Sequence, residues 1–188
     1  MANGAEAARS ANPWRIAGWG IAGAIILAPL VAMQLDAPGV NWTLSDFIFA
    51  IVLVGGVGLL FELAARASRN WAYRGAAAVA LAATFLLIWI NGAVGIIGNE
   101  DNPANLVFGA ILLMALAGTI VARGRAEGMV RAMTVAGAAQ TLVAVFVFAR
   151  GIAVNEPPGA FGLLLLIEGL AAFWFLSARL FGKAAREA

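Results

Sequence analysis

The sequence contains no cysteine and no histidine. Without thiols the chain forms no disulfide and carries out no thiolate chemistry, and without imidazole it has no histidine ligand for a metal ion or a haem iron. Walker loops and the HExxH and G-x-S-x-G motifs are missing as well. The sequence therefore predicts no enzymatic activity, no metal site and no bound cofactor, and an enzyme embedded in a membrane is the least favoured class.

Charge is scarce too, because only 12% of the 188 residues are charged and 63% are hydrophobic. The mean hydropathy is +0.92. A soluble domain has about twice that share of charged residues, whereas an apolar exterior costs nothing in a lipid bilayer. The sequence pI of 9.9 is typical of nucleic-acid-binding proteins. Here the bases form four small clusters between apolar runs, so the expected partner is the bilayer and no nucleic acid is expected.

Six apolar windows are long enough to span a bilayer, which takes about 20 residues. Short connections between them predict antiparallel neighbours. The predicted fold is all-α, a polytopic membrane protein with a six-transmembrane-helix antiparallel bundle as a single domain over residues 14–181. Residues 1–13 and 182–188 are predicted to be cytoplasmic tails, and the first is expected to be flexible. The windows are Trp14–Gln34, Asp46–Ala65, Tyr73–Gly95, Ala104–Ala122, Val130–Ala149 and Gly159–Leu180.

The placement of arginine and lysine predicts the orientation, since cytoplasmic loops are enriched in both. Eleven of the twelve bases fall on one side of the six windows, and Arg150 alone falls on the other. Both termini are therefore predicted to be cytoplasmic. The bases on that side are Arg9, Arg15, Arg66, Arg69, Arg74, Arg123, Arg125, Arg131, Arg179, Lys183 and Arg186.

The turn between the third and fourth windows is the most polar part of the chain and is predicted to face outward. Asn102 followed by Pro103 is typical of a helix cap and a first-turn proline. Thr43 to Asp46 and Asn155 to Pro158 show related capping patterns at the other outer turns. Calcium binding is the alternative for this acidic turn, but the spacing matches no calcium loop, so capping and solvation are favoured. Its polar residues are Asn99, Glu100, Asp101, Asn102 and Asn105.

Glu168 lies near the middle of the sixth window, where a charge is costly. One interpretation is a site that carries a proton or a cation. The favoured one is a protonated carboxyl that forms hydrogen bonds with a neighbouring helix. Gln140, Thr141 and Thr84 lie at a comparable depth and are the expected partners.

Two further polar features have a functional and a structural interpretation. Asn91 and Trp89, with the glycines at 92, 95 and 98, could shape a pocket or a re-entrant bend, although a helix that frays into its turn is favoured. Glu62 precedes Arg66 by four residues, an order that favours an ion pair on a helix, and this pair is expected at the membrane interface.

Small residues recur along the third and fifth windows, at Ala76 and Ala80 and at Ala132 and Ala136. Small side chains allow close helix packing in membranes. We therefore expect these two windows to form the inner pair of the bundle.

The favoured function is a non-catalytic accessory or interaction subunit of a membrane assembly in the bacterial cytoplasmic membrane. Its expected partners are other transmembrane proteins or further copies of the chain. The alternative is a small transporter of protons or solutes that uses Glu168, Gln140 and Asn91. A transporter needs a water-accessible cavity that reaches Glu168, whereas a structural subunit keeps this side chain dry.

Overall fold

The structure is a computed structural model that describes residues 13–152 and 158–188. Within these residues it is helical, with six long helices, one short 3-10 turn and no β-strand. All six helices are long and apolar enough to cross a membrane. They are α1 (Pro13–Gln34), α2 (Leu44–Ala67), α3 (Trp71–Ala93), α4 (Leu106–Ala122), α5 (Ala126–Ala149) and α6 (Gly159–Arg186), and the 3-10 turn, Pro103–Asn105, directly precedes α4.

The prediction of six apolar helices is confirmed, and most helix ends lie within two residues of the predicted ones. The two larger differences are at charged ends. α5 begins four residues early, at Ala126, and α6 continues to Arg186 through most of the segment predicted as a tail. Glu, Lys and Arg are good helix formers, so a helix continues past the end of its apolar run. Residues 1–12 of the tail predicted over residues 1–13, and the turn residues Asn155, Glu156 and Pro157, lie outside the described residues.

The chain divides into two compact units at Glu62 and Leu63, within α2. In the first unit the Trp19 ring packs against Gly58, where an added Cβ would lie 3.2 Å from the ring. The guanidinium of Arg15 donates to the carboxylate of Glu62. At the start of α2, the Asp46 carboxylate accepts from the Thr43 N–H at 2.7 Å, which is one bond of the predicted capping box.

The second unit contains α3 to α6. α6 packs against both α3 and α5, and α4 packs against α5. The neighbours are antiparallel: the Ser177 hydroxyl, late in α6, donates to the Ala76 carbonyl, early in α3, at 2.8 Å. The Phe175 ring lies over Gly137 of α5, 3.0 Å from where a Cβ would be, and the later α5 residue Thr141 bonds the earlier α6 residue Glu168, so α5 and α6 are antiparallel as well.

The alanine stripes predicted for helix contact are buried, but their partners differ from the prediction. Ala76 and Ala136 have no exposed surface, and Ala80 and Ala132 are also buried. α3 and α5 were expected to form the inner pair. They instead pack mainly on α6, which carries two of the three largest fully buried side chains among the described residues, Trp174 and Phe181. Stripes of small residues identify the faces that approach closely, but they do not identify the helix that each face meets.

Candidate functional site

Two groups of polar side chains in the second unit are candidate sites, and the first lies where α5 meets α6. Gln140 is completely buried, although its amide has two donors and an acceptor. Its Nε2 donates to the Ile167 carbonyl at 2.9 Å, and its Oε1 accepts from the Trp174 indole N–H at 2.9 Å. Both ends of the amide are paired, as a polar group in an apolar core requires.

The next residue along each helix adds a second link. The Thr141 hydroxyl donates to Oε2 of Glu168 at 3.1 Å, and both side chains are partly buried. In the described part of the chain, Thr141 is the one hydrogen-bond partner of this carboxyl. We call the two adjacent links, through Gln140 and Thr141, the α5–α6 polar seam. Chemically, the seam can hold one proton on one carboxyl and join two helices.

The other two predicted members of this site have different hydrogen-bond partners. The Thr84 hydroxyl donates to the Ala80 carbonyl of its own helix at 3.0 Å, and not to Glu168. A threonine inside a helix commonly bonds the carbonyl four residues earlier, so it needs no partner on another helix. Asn91 lies near the end of α3, where its Nδ2 is 3.5 Å from the Asn105 carbonyl. The residues that the sequence analysis grouped therefore do not form one hydrogen-bonded cluster.

Two residues of this region were missed. Trp174 is 1% exposed and completes the pairing of Gln140, and Ser177 is fully buried against α3. The available signal for Trp174 was its spacing on α6, because Ile167, Trp174 and Phe181 recur every seven residues. A tryptophan on such a face and away from the membrane interface needs a buried acceptor for its N–H.

The second polar group is the loop between α3 and α4, organised by Asn105. Its side chain is 4% exposed. Its Oδ1 accepts from the N–H groups of Ile96 and Ile97 at 3.1 and 2.8 Å. Its Nδ2 donates to the carbonyls of Ile97 and Asn99 at 3.3 and 2.7 Å. One amide therefore satisfies four backbone groups of a loop that has no helix to pair them.

The loop folds tightly over the end of the second unit. Gly95 has a φ of +71°, and a Cβ there would lie 2.3 Å from the Asn99 carbonyl, so glycine is required. Ile96 and Ile97 are buried below it. The Asn91 Oδ1 atom is buried with no hydrogen-bond partner among the described residues. The loop between α3 and α4 is therefore a packed, hydrogen-bonded segment and not a frayed end of α3.

The five polar residues of the turn that was predicted to face outward have different roles. Asn102 caps the 3-10 turn, since its Oδ1 accepts from the Ala104 N–H at 3.0 Å, and Pro103 follows as predicted. Asn105 organises the loop. Asn99, Glu100 and Asp101 have exposed side chains. In the described ranges, no group of three Asp or Glu side chains is placed to hold a metal ion.

The predicted pair of Glu62 with Arg66 stays a prediction. Glu62 is partly buried and accepts from Arg15, a partner that the sequence analysis did not consider because the two residues are 47 positions apart. Trp89, which was grouped with Asn91, stacks on Phe85 with ring centroids 5.7 Å apart. Its ring therefore packs along α3.

Comparison with known proteins gives no relative from which a role could be transferred: no family model, no curated protein and no solved structure matches this chain.

Proposed function

We propose that the chain is an integral membrane protein that acts as a non-catalytic accessory or interaction subunit of a membrane assembly. In this proposal the six helices form an antiparallel bundle in the bacterial cytoplasmic membrane. Both termini lie in the cytoplasm, because the bases cluster at that end of the helices. The outer faces contact lipid, partner transmembrane helices or further copies of the chain.

One observation carries the proposal: the two polar side chains that are fully buried within helices, Gln140 and Ser177, bond to other helices. Gln140 is paired at both ends of its amide, and Ser177 is paired with the α3 backbone. A transport path needs polar groups that exchange partners with a solute. Groups that are buried and already paired instead hold helices together, at about 0.6–2 kcal/mol for each bond in a membrane.

The outward faces of α5 and α6 support the same role. They carry exposed large apolar side chains, among them Leu142, Val145 and Leu165, which are 70%, 54% and 57% exposed. Patches of this kind on a soluble protein mark interaction sites. In a bilayer such a face contacts lipid at no cost and offers a surface for a partner helix.

Transport remains the second candidate because of one side chain. Glu168 is only partly buried, and within the described residues its carboxyl has a single hydrogen-bond partner. Such a carboxyl could exchange a proton. Of the other two residues assigned to transport, Gln140 is fully buried and bonds the Ile167 carbonyl and Trp174, and Asn91 lies beside Asn105.

Glu168→Gln separates the two functions. Glutamine keeps the size of the side chain and can accept the bond from Thr141, but it cannot carry a proton. We expect liposomes containing the wild type and the variant to show the same rate of proton leak, followed with an internal pH-sensitive dye after an imposed pH step.

Glu100→Gln is the matched control, because the same change is made there on an exposed side chain. A wild-type proton flux that persists in the Glu100→Gln protein and disappears in Glu168→Gln would overturn the accessory role. Glu168→Leu additionally removes the bond to Thr141. It should lower the free energy of unfolding by about 0.6–2 kcal/mol and leave the leak unchanged.

A further inference from the structure

A groove of about 720 Å³ runs along the surface between α4 and α5 and ends at the turn that joins them. Its wall along the helices is apolar. Its end is lined by Arg123, Arg125 and Arg131, with one acid, Glu127. Three bases against one acid leave this end positively charged.

The groove exists because α4 and α5 touch through their smallest residues. A Cβ on Gly118 would lie 2.7 Å from the Ala132 Cβ, and one on Gly128 would lie 2.7 Å from the Ala122 Cβ. Because the two helix backbones are so close there, the small residues form the bottom of the groove, and larger side chains on α4 and α5 form its sides. Those side chains include Val121 and Val135, which are 82% and 51% exposed.

The arginines at the end of the groove are available to a ligand. All three are exposed, and in the part of the chain that the structure describes their guanidinium groups form no hydrogen bond or ion pair. The first turn of α5 has no side-chain cap. Its free N–H groups and the positive end of the helix dipole favour an anion at the same place.

We propose that this groove binds an anionic phospholipid. The phosphate lies among Arg123, Arg125 and Arg131, and an acyl chain lies along the apolar wall beside Val121 and Val135. Guanidinium groups pair with phosphate oxygens through charge-assisted hydrogen bonds. Basic pockets between transmembrane helices suit acidic headgroups. The groove offers a positive charge for the headgroup and an apolar wall for an acyl chain. A soluble phosphate would use only the charged end.

This proposal requires α4 and α5 to span the bilayer, but it does not depend on the accessory role of the chain. The expected ligand belongs to the leaflet on the side of the basic clusters. That is the leaflet in which anionic lipids attract basic residues near the helix ends.

The test is native mass spectrometry of the detergent-solubilised full-length protein. It is titrated with phosphatidylglycerol and, separately, with phosphatidylcholine of the same acyl chains. The triple variant Arg123→Gln/Arg125→Gln/Arg131→Gln should bind phosphatidylglycerol on the order of a hundredfold more weakly, at about fivefold for each base. Binding of phosphatidylcholine, a zwitterionic lipid, should be weak and equal in both proteins.

The matched control removes the same number of bases elsewhere, with Arg69→Gln/Arg179→Gln/Lys183→Gln. These side chains are exposed and do not line the groove. The control should keep wild-type binding of phosphatidylglycerol to within about threefold. An equal loss in both triple variants would show attraction by net charge alone and would overturn the site. If the groove triple variant does not fold, Arg131→Gln alone should still show the fivefold loss.

A second pair of measurements tests the acyl chain. Val135→Trp places a large side chain in the groove at an exposed position and leaves the arginines unchanged, so phosphatidylglycerol binding should fall at least about tenfold. Glycerol phosphate, which is the headgroup without the chains, should not displace the lipid at equal concentration. Displacement by glycerol phosphate, or unchanged lipid binding by Val135→Trp, would show that the apolar wall is not part of the site.

Discussion

Replacing Asn105 with leucine should release the loop between α3 and α4 from the end of the second unit. Leucine has a similar size but cannot accept hydrogen bonds from the N–H groups of Ile96 and Ile97. Each buried group left unpaired costs about 1–3 kcal/mol, so these two cost about 2–6 kcal/mol together. The loop can avoid part of this cost only by exposing Ile96 and Ile97 to water, which is itself unfavourable.

The measurement is the free energy of unfolding in detergent, together with hydrogen exchange over residues 94–102. Exchange of the Ile96 and Ile97 amides should speed up by at least about tenfold in Asn105→Leu. Asn99→Ala is the control, because that side chain is exposed and Asn105 uses only the Asn99 carbonyl. If Asn105→Leu behaved like Asn99→Ala in both measurements, the role of Asn105 in organising the loop would be wrong.

Truncation of Trp174 should be the other severe change. The side chain is 1% exposed and lies among the largest buried groups of the second unit. Its replacement by alanine leaves a cavity and costs about 3–5 kcal/mol. It also leaves Oε1 of Gln140 without the indole donor, which deepens the loss. We expect a large fall in the unfolding midpoint in detergent and weaker packing of α6 on α5.

Two comparisons separate the causes of that loss. Trp174→Phe keeps an aromatic ring but removes the N–H, so its cost should approach the penalty of about 1–3 kcal/mol for an unpaired buried acceptor. Trp71→Ala removes the same side chain at a position that is 83% exposed, and it should change stability by less than about 0.5 kcal/mol. Equal effects of Trp174→Ala and Trp71→Ala would contradict the packing described for α6.

The helices themselves could be predicted from the sequence because their signals are local. Each apolar run has a minimum length that the bilayer sets, and caps such as Asn102 with Pro103 act within one turn. The same local rules place the charged ends less accurately. Lys183 and Arg186 are polar enough to end an apolar window, yet they favour helix, so α6 continues through them.

The contacts between helices could not be predicted in the same way. A buried amide such as Gln140 needs partners, but many hydroxyls and carbonyls at a similar depth could supply them. Thr84 was expected to be a partner of Glu168, and it bonds its own helix instead. The side-chain partner of Gln140, Trp174, is 34 residues from it, and only the packing of α6 on α5 brings the two together. The role of Asn105 was missed for a related reason, since loop backbone groups show no periodicity.

The central claim is that the chain crosses the membrane six times and holds Glu168 out of water. Single cysteine substitutions test this claim most directly. The chain has no native cysteine, so Ser68→Cys, Asn99→Cys and Glu168→Cys can each be labelled without background. A membrane-impermeant thiol reagent is applied to intact cells and to inverted vesicles. It reacts with the thiolate and therefore needs a hydrated site. The account predicts labelling of Asn99→Cys only in cells, of Ser68→Cys only in inverted vesicles and of Glu168→Cys in neither. Labelling of Ser68→Cys and Asn99→Cys from the same side, or of Glu168→Cys as fast as Asn99→Cys, would contradict it.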